Sequence, residues 1–197
     1  IMRVLAIGCH PDDLEIACSG TLRKYVEQGA DVYMCHVANG DQGHVIIPPE
    51  ELGGIREKEA ENAGKLIGAK EVFNLNVSDM QVNRHDQAQI DAVADVVRYC
   101  RPDVVITHNT EDYMQDHVET SYLATNGCFA AGLPHRSFNH PAYKRFIPTF
   151  FMDSLAGVNF DPALYVDITS QIETKLQAVA MHESQIKWML EHDNIDF

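Results

Sequence analysis

Arg3-Val4-Leu5-Ala6-Ile7-Gly8-Cys9-His10-Pro11-Asp12-Asp13-Leu14-Glu15-Ile16 is the stretch on which the fold turns. Val4–Ile7 is an unbroken apolar run, the pattern of a strand covered on both faces. The polar residues His10 to Glu15 follow at once, and a helix-like segment comes after them. Ser19 or Thr21 starts that helix, Leu22 and Val26 lie four apart on one face, and Gly29 ends it. Asp31–Ala38 (DVYMCHVA) reads as the next strand. Strand, helix and strand within about 35 residues make a βαβ unit. Such a unit implies parallel pairing, a right-handed crossover and helices on both faces of the sheet. The loop carrying His10 then leaves the carboxyl end of the first strand, where open α/β sheets bind ligands.

Downstream the same unit recurs. Asn39-Gly40-Asp41-Gln42-Gly43 is a turn-rich loop after the second strand, and its run through Pro48-Pro49 is long for a plain connection. Helix signals extend from Glu50 to Ile67, with Ile55, Ala60, Ala63 and Ile67 facing inward and Gly68 as the stop. Val72–Leu75 reads as a strand and Asp86–Tyr99 as a helix through Ile90, Val93, Ala94 and Val97. Arg101-Pro102-Asp103 breaks the chain before the strand Val104–Thr107. The polar loop His108–Asp116 leads into a helix starting near His117. Residues 132–145 have no periodicity and hold much of the local positive charge. Phe146–Met152 and Tyr165–Ile168 read as strands, and Ser170-x-x-Glu173 as a capping box opening a helix to about Leu190. No internal repeat interrupts the pattern. The expectation is one α/β domain over residues 2–197, a Rossmann-like three-layer sandwich with a mostly parallel sheet.

Length and charge narrow the function. A chain of 197 residues is long enough for one substantial core. Its formal net charge of −14, from 29 acids against 15 bases, repels phosphate backbones and anionic membrane faces. Nucleic acid and membrane are therefore not expected partners. A neutral or cationic small molecule is, unless a local basic pocket overrides the global sign. No apolar run approaches the roughly 20 residues that cross a bilayer, so a cytoplasmic location is expected. Ile1-Met2 reads as a scar before the natural start. The five cysteines are scattered and lack CxxC spacing, which suits reduced core residues. Cys9, beside His10, is the possible exception.

Imidazole and carboxylate are the ligand types that hold zinc or another borderline metal. Adjacent aspartates permit two jobs, one ligating the ion and one taking a proton from water. Three polar loops, 9–15, 39–44 and 108–117, would converge on one sheet edge. Each residue also has a plain reading: His10 as a turn histidine, Asp12 as a helix-start acid, Asp41 as a turn residue, Asp116 as a helix cap. The density of the cluster favours a site. His108, at a strand end, is a candidate to line it, whereas His36 and Trp188 read as packing.

Five motifs in order, His10-Pro11-Asp12-Asp13, Asn39-Gly40-Asp41-Gln42-Gly43, Arg56-Glu57-Lys58-Glu59, Asp116-His117, and Lys175 with His182-Glu183-Ser184-Gln185, span nearly the whole chain. In this they resemble the LmbE/PIG-L family of zinc-dependent N-deacetylases. The resemblance implies one zinc ion per chain held by His10, Asp13 and His117. It also implies Asp12 as general base and Arg56 as a contact to sugar hydroxyls. Asp41, His108 and Met114 would line the substrate site, and Glu15 and Asp116 would orient ligand imidazoles from behind. One departure stands out. The family commonly has a histidine three residues before the last ligand, and this chain has Met114 there. Methionine has no proton to give, so His182 is expected to replace it, with Asp116 and Tyr113 as the next candidates. The implied activity is hydrolysis of the acetamide of an N-acetylglucosamine-type sugar or its conjugate, in a homo-oligomer. An amidase acting on another small N-acyl amine is the alternative, as is a sugar-binding protein that has lost hydrolysis.

Overall fold

In the computed structural model, which describes residues 1–136 and 138–193, β1 (Arg3–Gly8) is the middle strand of a five-stranded sheet. It pairs in parallel with β2 (Asp31–Ala38) from Arg3↔Asp31 to Gly8↔His36. On its other side it pairs with β4 (Val104–His108) from Val4↔Val104 to Ile7↔Thr107. β3 (Glu71–Val77) and β5 (Thr149–Met152) form the edges, also parallel, giving the order β3-β2-β1-β4-β5. The helices are α1 (Asp13–Ala17), α2 (Ser19–Glu27), α3 (Pro49–Ile67), α4 (Gln87–Cys100), α5 (Gln115–Ala131), α6 (Ile172–Ala180) and α7 (Glu183–Trp188).

Alternation along β1 explains why its sequence is apolar throughout. Leu5 and Ile7 pack with Val93, Ala94, Val97, Leu123 and Ala124 from α4 and α5. Val4 and Ala6 pack with Leu14, Leu22, Ala63, Ile67 and Ala178 on the other face. The result is the expected three-layer sandwich. The strand order reverses between β1 and β4, so the loops leaving these two strands splay apart and open a crevice at the carboxyl edge.

Local chemistry sets the ends of the elements. Asp86 caps α4 by accepting from the N–H groups of Ala88 (2.8 Å) and Gln89 (3.2 Å). Gly68 ends α3 at φ 94°, a conformation that favours glycine.

Several expectations need correction. Residues 165–168 form no strand, and Ile168 instead packs against Gly20 at the start of α2. Strand β5 begins only at Thr149, because Pro148 has no N–H for the ladder. Ile55 is partly exposed, and the inward face of α3 is Leu52, Arg56, Ala60, Ala63 and Ile67. No side-chain cap forms at Ser170; residues 169–171 make a 3₁₀ turn before α6. The helix that follows breaks at Met181-His182, which separates α6 from α7. Among the described residues, no helix is long and apolar enough to cross a membrane.

Candidate active site

The loop after β1 presents its charged residues under backbone strain. Asp12 sits at φ 123°, a region that side-chain-bearing residues seldom occupy and that is found mainly where surrounding structure enforces it. The enforcement comes from Arg56 of α3. Its guanidinium donates to the carbonyls of Pro11 and Gly40 and lies 3.1 Å from Asp12 Oδ2. Gly40 has φ 74°, and a Cβ there would run into the Arg56 guanidinium, so the Asn39–Gly43 turn needs its glycine twice over.

Asp13, next along, draws the two strand ends together. Its Oδ2 lies 3.4 Å from His10 Nδ1, 3.3 Å from His117 Nε2 and 3.3 Å from His108 Nε2, and accepts the His10 N–H at 2.7 Å. The His10 and His117 rings are 5.3 Å apart between centroids. A tetrahedral ion with bonds of about 2 Å separates neighbouring donors by about 3.3 Å. The spacing of Asp13 from each of the three imidazoles matches that value.

Hydrogen bonding distinguishes the three imidazoles. His108 Nε2 accepts the Cys9 N–H at 2.9 Å, so its lone pair is engaged. Asp116 Oδ2 faces the far nitrogen of His10 at 3.4 Å, and Asp112 Oδ2 faces the far nitrogen of His117 at 3.3 Å. A carboxylate on the far nitrogen keeps the proton there and turns the near lone pair inward, as in carboxylate–histidine–metal arrangements. Both nitrogens of His117, and Asp112 Oδ2, are buried without a hydrogen-bond partner, so Asp112 meets His117 at ion-pair distance only. His10, Asp13 and His117 are ligand types that suit a divalent ion such as zinc, and among the described residues the sets whose donor atoms all lie within 4.8 Å of one another are Asp13, His108 and His117, and Cys9, His10 and Asp13. In the bare polypeptide burial opposes charge on all three, yet nearby opposite charges prevail: His117, His10 and His108 act on Asp13, Cys9 and Asp116 ahead of Asp13 act on His10, and Asp13 acts on His117 against repulsion from His10. Asp13 is held well below the usual carboxylate range, and His10 and His117 are raised. Burial, with the adjacent Asp13 charge, instead pushes Asp12 up to about 6 against the pull of Arg56.

The cleft at this point is lined by His10, Asp12, Asp13, Arg56, Met114 and His117, among others. Met114 is thus at the wall, as expected. His108 is buried, stacks on His117 (4.2 Å between centroids) and faces an adjoining lobe. Asp41 is not at the wall. It accepts from Ser78 Oγ (2.8 Å) and the Asp79 N–H (3.0 Å), which ties down the loop after β3. Asp116 does not cap α5; besides facing His10 it accepts the Met80 N–H at 2.7 Å. Arg56 is buried, lines the cleft, and is engaged by the carbonyls of Pro11 and Gly40 and by Asp12.

Glu15 and His182 pair with each other rather than with the ligand imidazoles. Glu15 Oε2 lies 3.5 Å from His182 Nε2, both side chains are fully buried, and neither lines the cleft. His182 sits at the break between α6 and α7, where the chain turns inward. Of the groups weighed as a replacement at Met114, Tyr113 is the one on the cleft wall, edge-on to His117 at 5.9 Å.

Sequence reading missed Asp79 and Asp112, and quoted Glu59 and Gln185 only as members of motifs with no role of their own. Asp112 lies in the 108–117 loop and was recognisable as a carboxylate within reach of a ligand histidine. Asp79 is the second residue after β3, and extending that strand to Val77 would have placed it at the same edge. Glu59 accepts from Ser184 N–H (2.8 Å) and Ser184 Oγ (2.7 Å), while Gln185 Nε2 donates to Gly43 O (3.1 Å). These bonds join α3, α7 and the 39–43 turn, giving the distant Arg56–Glu59 and His182–Gln185 motifs a physical link.

The chain is similar to known proteins in both sequence and fold. A diacetylchitobiose deacetylase from Thermococcus kodakarensis is 29% identical over 94% of this chain and 70% of its own length. An N,N'-diacetylchitobiose deacetylase from Pyrococcus horikoshii, solved with its inhibitor, superposes with a TM-score of 0.83 at 27% identity. The match covers 97% of this chain and 73% of that one. GalB, the 4-carboxy-2-hydroxymuconate hydratase of Pseudomonas putida KT2440, reaches a TM-score of 0.84 at 20% identity, over 98% and 84% of the two chains, and so shares the fold. The profile of the PIG-L family, GlcNAc-PI de-N-acetylase, matches residues 5–128, more than half of the chain, and the chain belongs to that family.

Proposed function

We propose that this protein hydrolyses the acetamide of an N-acetylglucosamine-type amino sugar or its conjugate, releasing acetate, with one zinc ion held by His10, Asp13 and His117. The observation that carries this reading is the inward-facing donor set beside the strained, half-buried Asp12. His10, Asp13 and His117 would hold a divalent ion, which when bound would supply polarisation of the amide oxygen and a more acidic water. Asp12, poised near 6, takes the proton from the attacking water. Arg56 fixes the direction of that carboxylate. Asp116 and Asp112 fix the two ligand rings. Burial and the Asp13 charge raise the Tyr113 phenol, so it keeps its proton and can pass it to the leaving nitrogen. Met114 beside it keeps that wall apolar, and Glu15 with His182 braces α1 from below. The same proposal includes a homo-oligomer, supported by the exposed aromatic rings of Phe129 and Phe146 near β5 and tested by sedimentation.

Zinc-loaded protein should release acetate from N,N'-diacetylchitobiose and hold about one equivalent of metal after dialysis. His117→Ala should lose most of that metal. Unchanged zinc content in His117→Ala would remove the ligand assignment, and absence of acetate from the loaded parent would remove the activity.

A further inference from the structure

Cavities open on both sides of Asp13 and His117. One, of about 210 Å³, reaches Gly43, Asp79 and Gln185. The other, of about 170 Å³, reaches Ala17, Asp153 and Ser154. They share Asp13, Ile16, His117 and Leu155 and so form one cleft with two lobes.

Charge along this cleft is one-sided. Among the described lining residues are four carboxylates, Asp12, Asp13, Asp79 and Asp153, and one permanent cation, Arg56. Arg56 is engaged by Pro11 O, Gly40 O and Asp12, and its unpartnered Nε lies under Gly40. Asp79 is fixed at the wall by the N–H groups of Gly40 (2.9 Å) and Gln42 (3.1 Å). The positive stretch that might have overridden the net charge lies elsewhere, with Arg136 on Asp91, His140 on Asp95 and Arg145 on Asp103. With Arg56 counted the lining carries a formal −3, and a divalent ion at Asp13 would leave −1, with Asp79 and Asp153 as the carboxylates engaged by neither cation.

We infer that the cleft selects its amino sugar by charge. It takes N-acetylated sugars whose attached group is neutral or carries an amine, and it disfavours those carrying carboxylate or phosphate beside the sugar. Anion recognition calls for guanidinium, ammonium or free N–H donors, and here carboxylates stand where such donors would be needed. Like charges placed face to face suppress a wrong partner, and opposite charges speed the right one. This inference rests on the deacetylase reading.

The test uses matched substrates on the zinc-loaded full chain: the methyl, 2-aminoethyl and carboxymethyl glycosides of N-acetylglucosamine, and N-acetylglucosamine 1-phosphate. The methyl and aminoethyl glycosides should exceed both anionic ones in kcat/KM by at least about fivefold at low ionic strength. The gap should shrink severalfold in about 0.5 M salt, which screens exposed charges beyond a few ångströms. Asp153→Lys, at an exposed position, should narrow it as well. A smaller gap, or one unmoved by both salt and Asp153→Lys, overturns charge selection and leaves the deacetylase reading intact. Zinc-replete protein that releases acetate from none of the four overturns both.

Discussion

Two buried arginines organise loops at opposite ends of the sheet, and they differ in what they leave unsatisfied. Arg98, late in α4, donates to the carbonyls of Ala131 (2.9 Å), Leu133 (2.7 Å), Arg136 (3.3 Å) and His140 (2.9 Å). The carboxylates nearby, Asp91, Asp95 and Asp103, each meet a basic side chain. Arg56, early in α3, divides its donors between two carbonyls and Asp12 and keeps an orphaned Nε. Around it, carboxylates face imidazoles whose buried nitrogens lack partners. Buried polar groups in folded proteins are nearly always satisfied. A region where each group is answered holds the chain, whereas one with lone pairs left over is arranged for a ligand.

The same substitution at both sites should separate these roles. Arg56→Met should lower kcat by at least about a hundredfold, the scale of a misplaced general base, while zinc stays near one equivalent. Arg98→Met should leave kcat within about twofold and lower stability by about 3 kcal/mol, since several buried carbonyls lose their donor. For a chain of this size that is roughly a 6–12 °C fall in Tm. Turnover at 20 °C and thermal melts of the metal-free proteins read both. If Arg56→Met kept more than a tenth of its turnover, Arg56 would be scaffolding like Arg98 and the contrast would vanish.

These arginines also mark the limit of what the chain shows before it is folded. β1, β2 and β4 were legible because strands covered on both faces are apolar without interruption. The edge strand β3 is half exposed along its length, so its pattern was weak and its end was set short. His10, Asp13 and His117 could be grouped only through the resemblance of the motifs that carry them, since each residue type alone also has a plain use at a strand end or helix start. Arg56 was singled out through the resemblance as a sugar contact, and it does line the cleft, but nothing local says that a helix arginine will also point into the loop of another strand. Arg98 gave no signal, and the segment it holds has no periodicity. His182 was placed mid-helix because the helical spacing does not show the break that turns it toward Glu15.

A smaller effect comes from that pair. Burial pushes Glu15 up, but the facing His182 holds it below 4.5; burial pushes His182 down, but Glu15 and Asp12 raise it above 6.5. The raised His182 contributes fully below pH 6.5, and its share fades as pH rises through the raised value. The depressed Glu15 contributes above pH 4.5, and its share is lost as pH falls through the lowered value. In metal-free protein His182→Gln should therefore lose about 1–2 kcal/mol between these limits and less at pH 8.5, because glutamine keeps a donor toward Glu15. Urea melts at pH 5.5 and 8.5 measure the difference. An equal loss at both would mean that the pair is neutral. A kcat loss beyond about a hundredfold at full zinc would return His182 to the acid–base role first expected of it.

The smallest effect lies on the outside of the Arg98 region. Arg145 pairs with Asp103, but its side chain is 56% exposed. Asp103 has a second task, accepting the Arg3 N–H at 2.8 Å where β1 begins. Exposed ion pairs contribute about 0–1 kcal/mol and weaken in salt. Arg145→Met should therefore change stability by no more than about 0.5 kcal/mol, and about 0.5 M salt should erase even that. The segment from 132 to 145 is gripped from within by Arg98, so removing an outer pair leaves the grip in place. Chemical denaturation of parent, Arg145→Met, Arg98→Met and the double variant tests this directly, because distant and independent sites add. A loss above about 1 kcal/mol for Arg145→Met that salt does not reduce would show that the segment is held from its surface. Charges at that end would then be as exacting as those around Arg56, and satisfied hydrogen bonding would no longer distinguish the two ends of the sheet.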